Sequence, residues 1–502
     1  MKIYNSIVSW IIKKRIHHIE LFINHPHEVQ EELRQSLVDK AKNTEFGRTY
    51  GFNSIKNAED FSERIPLHDY EDLEPYICRM RAGEENILWP SEIRWFAKSS
   101  GTTNSKSKFI PVSKESIEDC HYKCGKDLLS VYCHHYPAKN IFEGKSLMLG
   151  GSHNISPLSN SMYEGDLSAI IVENLPFWVQ LQSSPDKDIA LMSEWEKKID
   201  LMAEQAIHEN ISSLSGVPSW ALVFANKVLE KTGKSNLQEL WPDFELYIHG
   251  GINFKPYKKS FDKLFPQGIN YLETYNASEG FFGIQDDPEK EDMLLMLDYG
   301  IYYEFIPLEN INDEHPETVN LSQVKIGKDY ALVITTNAGL WRYLIGDTIQ
   351  FTQKDPYRFI ISGRTKHFIN AFGEELMVHN AEKALQQACF VSDAEVVDFT
   401  AAPQHISDGK KAYHEWLIEF KEVPKDLSSF IHQFDYALKS VNSDYEAKRY
   451  KNMILEEPRV HIATKGLFFN WMKKRGKLGG QNKVPRLSDK RIYLEELLEM
   501  NS

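Results

Sequence analysis

Nowhere in its 502 residues does the chain approach the ~18–20 consecutive apolar residues that a membrane-spanning helix requires. It therefore reads as a soluble protein. The short apolar stretch within MKIYNSIVSWIIKKRIHHIE is followed, not preceded, by positive charge and has no small-residue cleavage site, which excludes a signal peptide. Ile7, Val8, Ile11 and Ile12 suit one face of a helix docked on the body of the protein. Cysteine is scarce and odd in number: the five residues Cys78, Cys120, Cys124, Cys133 and Cys389 point to a reducing, cytoplasmic compartment and to no disulfides. Basic charge is in deficit. The 58 Lys and Arg against 72 Asp and Glu leave a net charge of −14, which argues against partnership with nucleic acid or an anionic membrane and leaves room for a small anion in a local basic pocket. Internal repeats, low-complexity tracts and the Walker loop G-x-x-x-x-G-K-[ST] are also missing. Cys120, Cys124, Cys133 and the histidines around them do not have the spacing of a closed zinc site and read as one long helix.

What is present is material for buried cores: 42% hydrophobic and 12% aromatic residues, enough for two or three domains at ~150 residues each. Helical periodicity marks the stretches from Glu28 and from Lys187, and a helix from Pro218 that Gly233 should cap. Short β-like runs start at Ser146, Ser168, Glu245, Asp292, Tyr302, Tyr330 and Tyr357. The alternation predicts an α/β class, with the four runs between 292 and 362 forming an additional antiparallel sheet or barrel. After about residue 363 the pattern restarts with a helix, two strands, a helix and a basic tail. This divides the chain into a large unit, 1–362, and a smaller C-terminal α/β unit, 363–502.

Five strings have chemical potential. Ser99, Ser100, Gly101, Thr102 and Thr103, ahead of Lys108, make a loop whose amides and hydroxyls suit phosphate oxygens, or equally a polar surface loop. Tyr275-Asn-Ala-Ser278-Glu279 ends a β-like run with an aromatic to stack, a hydroxyl, and a carboxylate suited to Mg²⁺. Asp347 follows Gly346 in RYLIGD and suits ribose hydroxyls, though Gly-Asp turns also occur without ligands. Arg364 stands at the proposed domain boundary between Gly363 and Gly373, and Lys483 in the basic tail.

The order of these strings, above all SSGTT with its lysine, YNASEG and RYLIGD, resembles the acyl-activating, adenylate-forming superfamily and, within it, the Gretchen-Hagen-type acyl acid amido synthetases, in a bacterial-type form. The resemblance runs from about IPLHDYEDLEPYI to NKVPR. It implies ATP and Mg²⁺, with the Ser99–Thr103 loop and Lys108 on the phosphates, Tyr275 and Ser278 near the nucleotide, Glu279 on the metal, Asp347 on the ribose and Arg364 before a hinge at about 363–373. Lys483 is similar to the family's terminal catalytic lysine. The activity implied is adenylation of a carboxylic acid followed by acyl transfer to an amine, by the resemblance that of an amino acid. A thioester-forming coenzyme A ligase shares the first half-reaction, and a non-catalytic nucleotide-binding protein could keep the fold. The acid pocket is expected near GVPSW and HGGINF, lined by Trp220, Phe224 and Phe254, with His249 beside them.

Overall fold

The computed structural model describes residues 14–99, 108–137, 141–150, 155–158, 162–192, 194–251, 254, 257–311, 313–365, 368–374, 376–405, 411–452, 454–475 and 485–501. Ile7 to Ile12, residues 100–107 and Lys483 lie outside these.

Eleven strands form one continuous mixed sheet. Its parallel limb runs from Asn270–Ala277 through Leu246–Gly250, Ile211–Ser215 and Lys145–Met148 to the short edge Ser183–Ser184. On its other side Asn270–Ala277 pairs antiparallel with Gly280–Ile284, and the sheet continues antiparallel through Met293–Leu295, Tyr357–Arg364, Tyr343–Lys354 and Asp329–Thr336 to Ile301–Pro307. The β-like runs between 292 and 362 thus extend the central sheet and do not close a separate barrel. A smaller four-stranded sheet carries the hairpin of Trp95–Ser99 with Lys108–Val112, whose register sets Ser99 opposite Lys108. The C-terminal unit has a three-stranded sheet, Glu395–Gln404, Tyr413–Glu422 and Arg459–Ile462, with helices Val378–Ser392 and Leu427–Val441.

The helix Pro218–Thr232 begins at its proline and ends on Gly233 in the left-handed region, φ 65°, as its sequence predicts. Two local expectations fail. The run from Ser168 is part of a helix, Leu167–Glu173, because Ala169, Ile170 and Val172 bury one helical face, which a short apolar run does not distinguish from a strand. The periodic stretch from Lys187 breaks into Lys187–Ala190 and Trp195–Ile207. The cysteine segment is continuous helix through His135, with a π-helical turn at Ile117–Tyr122 where the Cys120 thiol accepts a hydrogen bond from the Phe281 backbone N–H at 3.2 Å. No helix among the described residues is long and apolar enough to cross a membrane.

One buried group ties the N-terminal helices to the antiparallel limb. Arg342 donates through Nε and Nη2 to the two oxygens of Glu304, both at 2.9 Å, through Nη2 to Thr318 Oγ1 at 2.8 Å, and through Nη1 to the carbonyls of Ser62 and Ile65 at 2.8 and 2.5 Å. All five guanidinium N–H groups are used, the condition under which a buried charge is tolerated. Arg342→Met strands the Glu304 carboxylate in the core, and we expect a loss of about 3–5 kcal/mol, read as a lower urea midpoint at unchanged m-value.

Candidate functional site

A cavity of about 1710 Å³ opens at the carboxyl ends of the parallel strands Leu246–Gly250 and Asn270–Ala277, where the sheet passes from parallel to antiparallel. Open α/β sheets bind ligands at such strand ends and switch points. Its wall brings together Ser99, Lys108, Tyr275, Ser278, Glu279 and Asp347, with Arg364, His249 and Phe254. Ser100, Gly101, Thr102, Thr103 and Lys483 lie outside the described residues. Trp220 and Phe224 do not line it: Phe224 is fully buried and stacks on Trp241 at 6.4 Å, and the Lys448 ammonium lies 4.2 Å from the centre of the Trp220 ring.

Local structure explains each placement. Ala277 pairs with Gly280, so Ser278 and Glu279 form the tip of a two-residue hairpin. In Tyr343–Lys354, Leu344 faces Val333 whereas Thr348 faces Ala331, so this strand bulges by two extra residues. Gly346 occupies the bulge at φ 95°, a conformation that suits glycine, and the bulge re-aims Asp347. Asp347 then takes a 2.6 Å hydrogen bond from the Tyr275 hydroxyl on Oδ2 and a 2.6 Å contact from Arg364 Nε on Oδ1. Burial, and then the neighbouring Asp347 charge, hold the Tyr275 phenol well above its usual range, so it stays a donor.

A second chain of contacts crosses the site. Lys108 Nζ donates to the Tyr343 hydroxyl at 3.2 Å, which lies 3.5 Å from Glu279 Oε1. Asp69 and Asp72 form a capping box that starts the helix Tyr70–Arg81, and the Tyr70 hydroxyl accepts from the Phe109 N–H at 2.9 Å, fixing the strand beside Lys108. Tyr70 and Tyr343 were not singled out by sequence reasoning, although both stand inside the strings that carry the family resemblance, HDYEDL and RYLIGD.

The remaining wall is more apolar. His249 and Phe254 stack at 4.1 Å, with Tyr136, Leu167, Ile171 and Ile269 also facing the cavity. His249 is 4% exposed, its Nδ1 has no hydrogen-bond partner among the described residues, and burial pushes the imidazole down to about 3. From the C-terminal unit, Asn370, Gly373, Met377, His405, Asp489 and Lys490 close the far side.

Residues 15–269 match the GH3 family N-terminal domain, 294–364 the GH3 family central domain and 379–492 the GH3 family C-terminal domain. The jasmonoyl–L-amino acid synthetase JAR6 of Nicotiana attenuata is 24% identical, with 94% of this chain and 93% of that protein covered. The indole-3-acetic acid-amido synthetase GH3.3 of Arabidopsis thaliana is 23% identical, with 94% and 91% covered. In fold, the chain is similar to the AtGH3.15 acyl acid amido synthetase in complex with 2,4-DB, with a TM-score of 0.64 at 19% identity over 98% of this chain and 96% of that one.

The buried imidazole makes stability depend on pH. Above the ordinary histidine value of about 6.5 both folded and unfolded states are neutral at this position; below it the unfolded chain takes up a proton that the folded chain refuses until about 3. Stability is therefore lost as pH falls through that window, by up to about 1.4 kcal/mol per unit. In His249→Asn, urea denaturation at pH 7 and pH 5 should show a difference smaller than in the wild type by about 2 kcal/mol.

Proposed function

The chain belongs to the GH3 family, and we propose on that premise that it is an ATP-dependent acyl acid amido synthetase, joining a carboxylic acid to the amine of an amino acid through an acyl-adenylate. The observation that supports this best is the convergence of Lys108, Glu279 and Asp347, from three separate segments, on one cavity large enough for a nucleotide and an acid.

In this reading Asp347 receives the ribose hydroxyls, Tyr275 and Ser278 lie beside the nucleotide, and Ser99, Ser100, Gly101, Thr102 and Thr103 with Lys108 surround the phosphates. Arg364, already against Asp347, adds a cation at the edge of the nucleotide site. Glu279 is the residue for Mg²⁺. Among the described residues there is no cluster of three or more His, Cys, Asp or Glu that would form a cage, and a lone carboxylate at a hairpin tip suits an ion that keeps several waters and binds largely through substrate phosphates. Mg²⁺ there supplies neutralisation of phosphate charge.

The substrate carboxylate attacks the α-phosphorus in line and pyrophosphate leaves, with Lys108 and Lys483 contributing positive charge. The apolar wall around His249 and Phe254 accommodates the acid's organic part, suiting an aryl or medium-length aliphatic group. The C-terminal unit, 363–502, then turns about 363–373 and the amine attacks the activated carbonyl, releasing AMP and an amide. Gly363 and Gly373 have φ values of 155° and 84°, so the segment already uses backbone freedom that other residues lack. A cytoplasmic location and small-molecule partners complete the proposal.

The test is pyrophosphate and AMP release from ATP and Mg²⁺ across a panel of acids, with and without amino acids or coenzyme A. Release that requires an acid and accelerates with an amino acid is expected; acceleration by coenzyme A alone, or nucleotide binding without turnover, would overturn the amide reading. Asp347→Asn should raise KM for ATP about 10-fold or more, the weight of one charge-assisted hydrogen bond. Lys483→Ala should depress adenylation while ATP binding is kept.

A further inference from the structure

Amide formation has a proton problem that none of the roles above solves. An amino acid presents an ammonium at neutral pH, and that group has no lone pair until it loses a proton. Lys108 and Arg364 are cations, and the oxygens of Asp347 are engaged by Tyr275 and Arg364. Other carboxylates and imidazoles on the cavity wall are placed to take that proton.

The C-terminal unit supplies one. The segment from Pro485 to Ser488 is zipped against Glu395–Gln404: Thr400 Oγ1 donates to the Pro485 carbonyl at 2.6 Å, the Ala401 N–H to the Arg486 carbonyl at 2.8 Å, and the Ser488 N–H to the Ala401 carbonyl at 3.1 Å. This fixed stretch delivers Asp489 to the cavity wall, where Oδ1 accepts the Asn370 N–H at 2.7 Å. Asn370 belongs to the proposed hinge segment, so the carboxylate bonded to it sits beside the pivot, where a turn of the C-terminal unit displaces a group least. Asp489 is exposed and lines the cavity.

We infer that Asp489 is the general base of the amine half-reaction, its cavity-facing carboxylate receiving a proton from the ammonium of the incoming amino acid. The inference rests on the amido synthetase reading and falls with it. One N–H proton passes to the Asp489 carboxylate, and the freed nitrogen lone pair forms the C–N bond at the acyl carbon. The bond from that carbon to the phosphate oxygen breaks with its electron pair leaving on AMP, and the second nitrogen proton goes to water as the intermediate collapses. The charged and titratable groups around Asp489 are Glu374, Arg364 and His414, with His405 and Lys490 on the same cavity wall. Desolvation by the protein packed around the cavity pushes its carboxyl up to about 6, against the pull of the Asn370 N–H, and the Glu374 charge adds to the rise. It is thus ionised at neutral pH yet more basic than an ordinary carboxylate, the match a general base needs.

Hydroxylamine, which is neutral near pH 7.5, traps an acyl-adenylate without a base. Asp489→Asn keeps an acceptor for the Asn370 N–H, so hydroxamate formation should stay within about twofold of wild type while amino acid amide formation falls about 10²- to 10⁴-fold. At saturating amino acid, the wild-type amide rate should be level above about pH 7 and fall below about 6, whereas the variant rises about tenfold per pH unit. Amide and hydroxamate rates that change together, an unchanged amide rate, or the selective loss appearing in His405→Asn instead would overturn the assignment. The wild-type pH profile is an independent arm should the variant fold poorly: a rate climbing steadily from pH 6 to 9 counts against it. A wild-type enzyme that makes hydroxamate but no amide sinks the amido synthetase reading itself, whereas amides formed equally well by wild type and Asp489→Asn sink only this inference.

Discussion

The carboxylate of Asp347 holds the site together. Its two oxygens are taken by the Tyr275 hydroxyl on one strand and the Arg364 guanidinium on another, so two strands of the antiparallel limb and the strand that joins it to the parallel limb are fixed by one side chain. Tyr343–Lys354 carries a two-residue bulge at Gly346, immediately before Asp347. Tyr275 in turn sets the strand whose hairpin presents Ser278 and Glu279, and Arg364 ends the strand that leads to the C-terminal unit. The hydroxyl and the guanidinium also satisfy a carboxylate that is largely removed from solvent, which would otherwise be costly.

Much of this was legible locally. The described strings around Tyr275 and Arg364 sit at strand ends, as their β-like runs suggest, and Gly233 caps its helix, so these residues are positioned by structure of short range. What was hidden depends on contacts across long separations. The Tyr343 hydroxyl stands between Lys108 and Glu279, 235 and 64 residues away, and no local pattern announces such a meeting. Trp220 and Phe224 show the same limit from the other side. Their spacing of four places them on one face of the helix, but not which neighbour that face meets; Phe224 meets Trp241, and Trp220 meets Lys448. The run from Ser168 fails for a different reason: β-branched residues favour strands weakly, and burial of a helical face outweighs that preference.

The segment that enters the C-terminal unit packs on the large unit. Ile369, Ala371 and Phe372 share an apolar cluster with Phe254, Tyr257 and Phe261 of the large unit, and the Tyr257 hydroxyl donates to the Ala371 carbonyl at 3.2 Å. Further out, Lys448 covers Trp220 and Lys451 pairs with Glu196. Within the smaller unit, Glu374 is fully buried, accepting from the Phe372 N–H at 2.7 Å and meeting His414 Nε2 at 2.7 Å, so the turn beside Gly373 is rigidly built although its glycine is conformationally free.

The continuity of the large sheet has a consequence for how the molecule comes apart. Parallel strands near Lys145 and antiparallel strands near Ile301 belong to one hydrogen-bonded ladder, joined through Asn270–Ala277 alone. Removing that strand would expose two new sheet edges at once, so the limbs have little means of opening independently, and their amides should exchange with solvent as one slow cooperative block. Among the described residues the three-stranded sheet of the C-terminal unit shares no ladder with them, so it can open on its own timescale. A chain of this size therefore divides, in its fluctuations, between the large sheet and the three-stranded one.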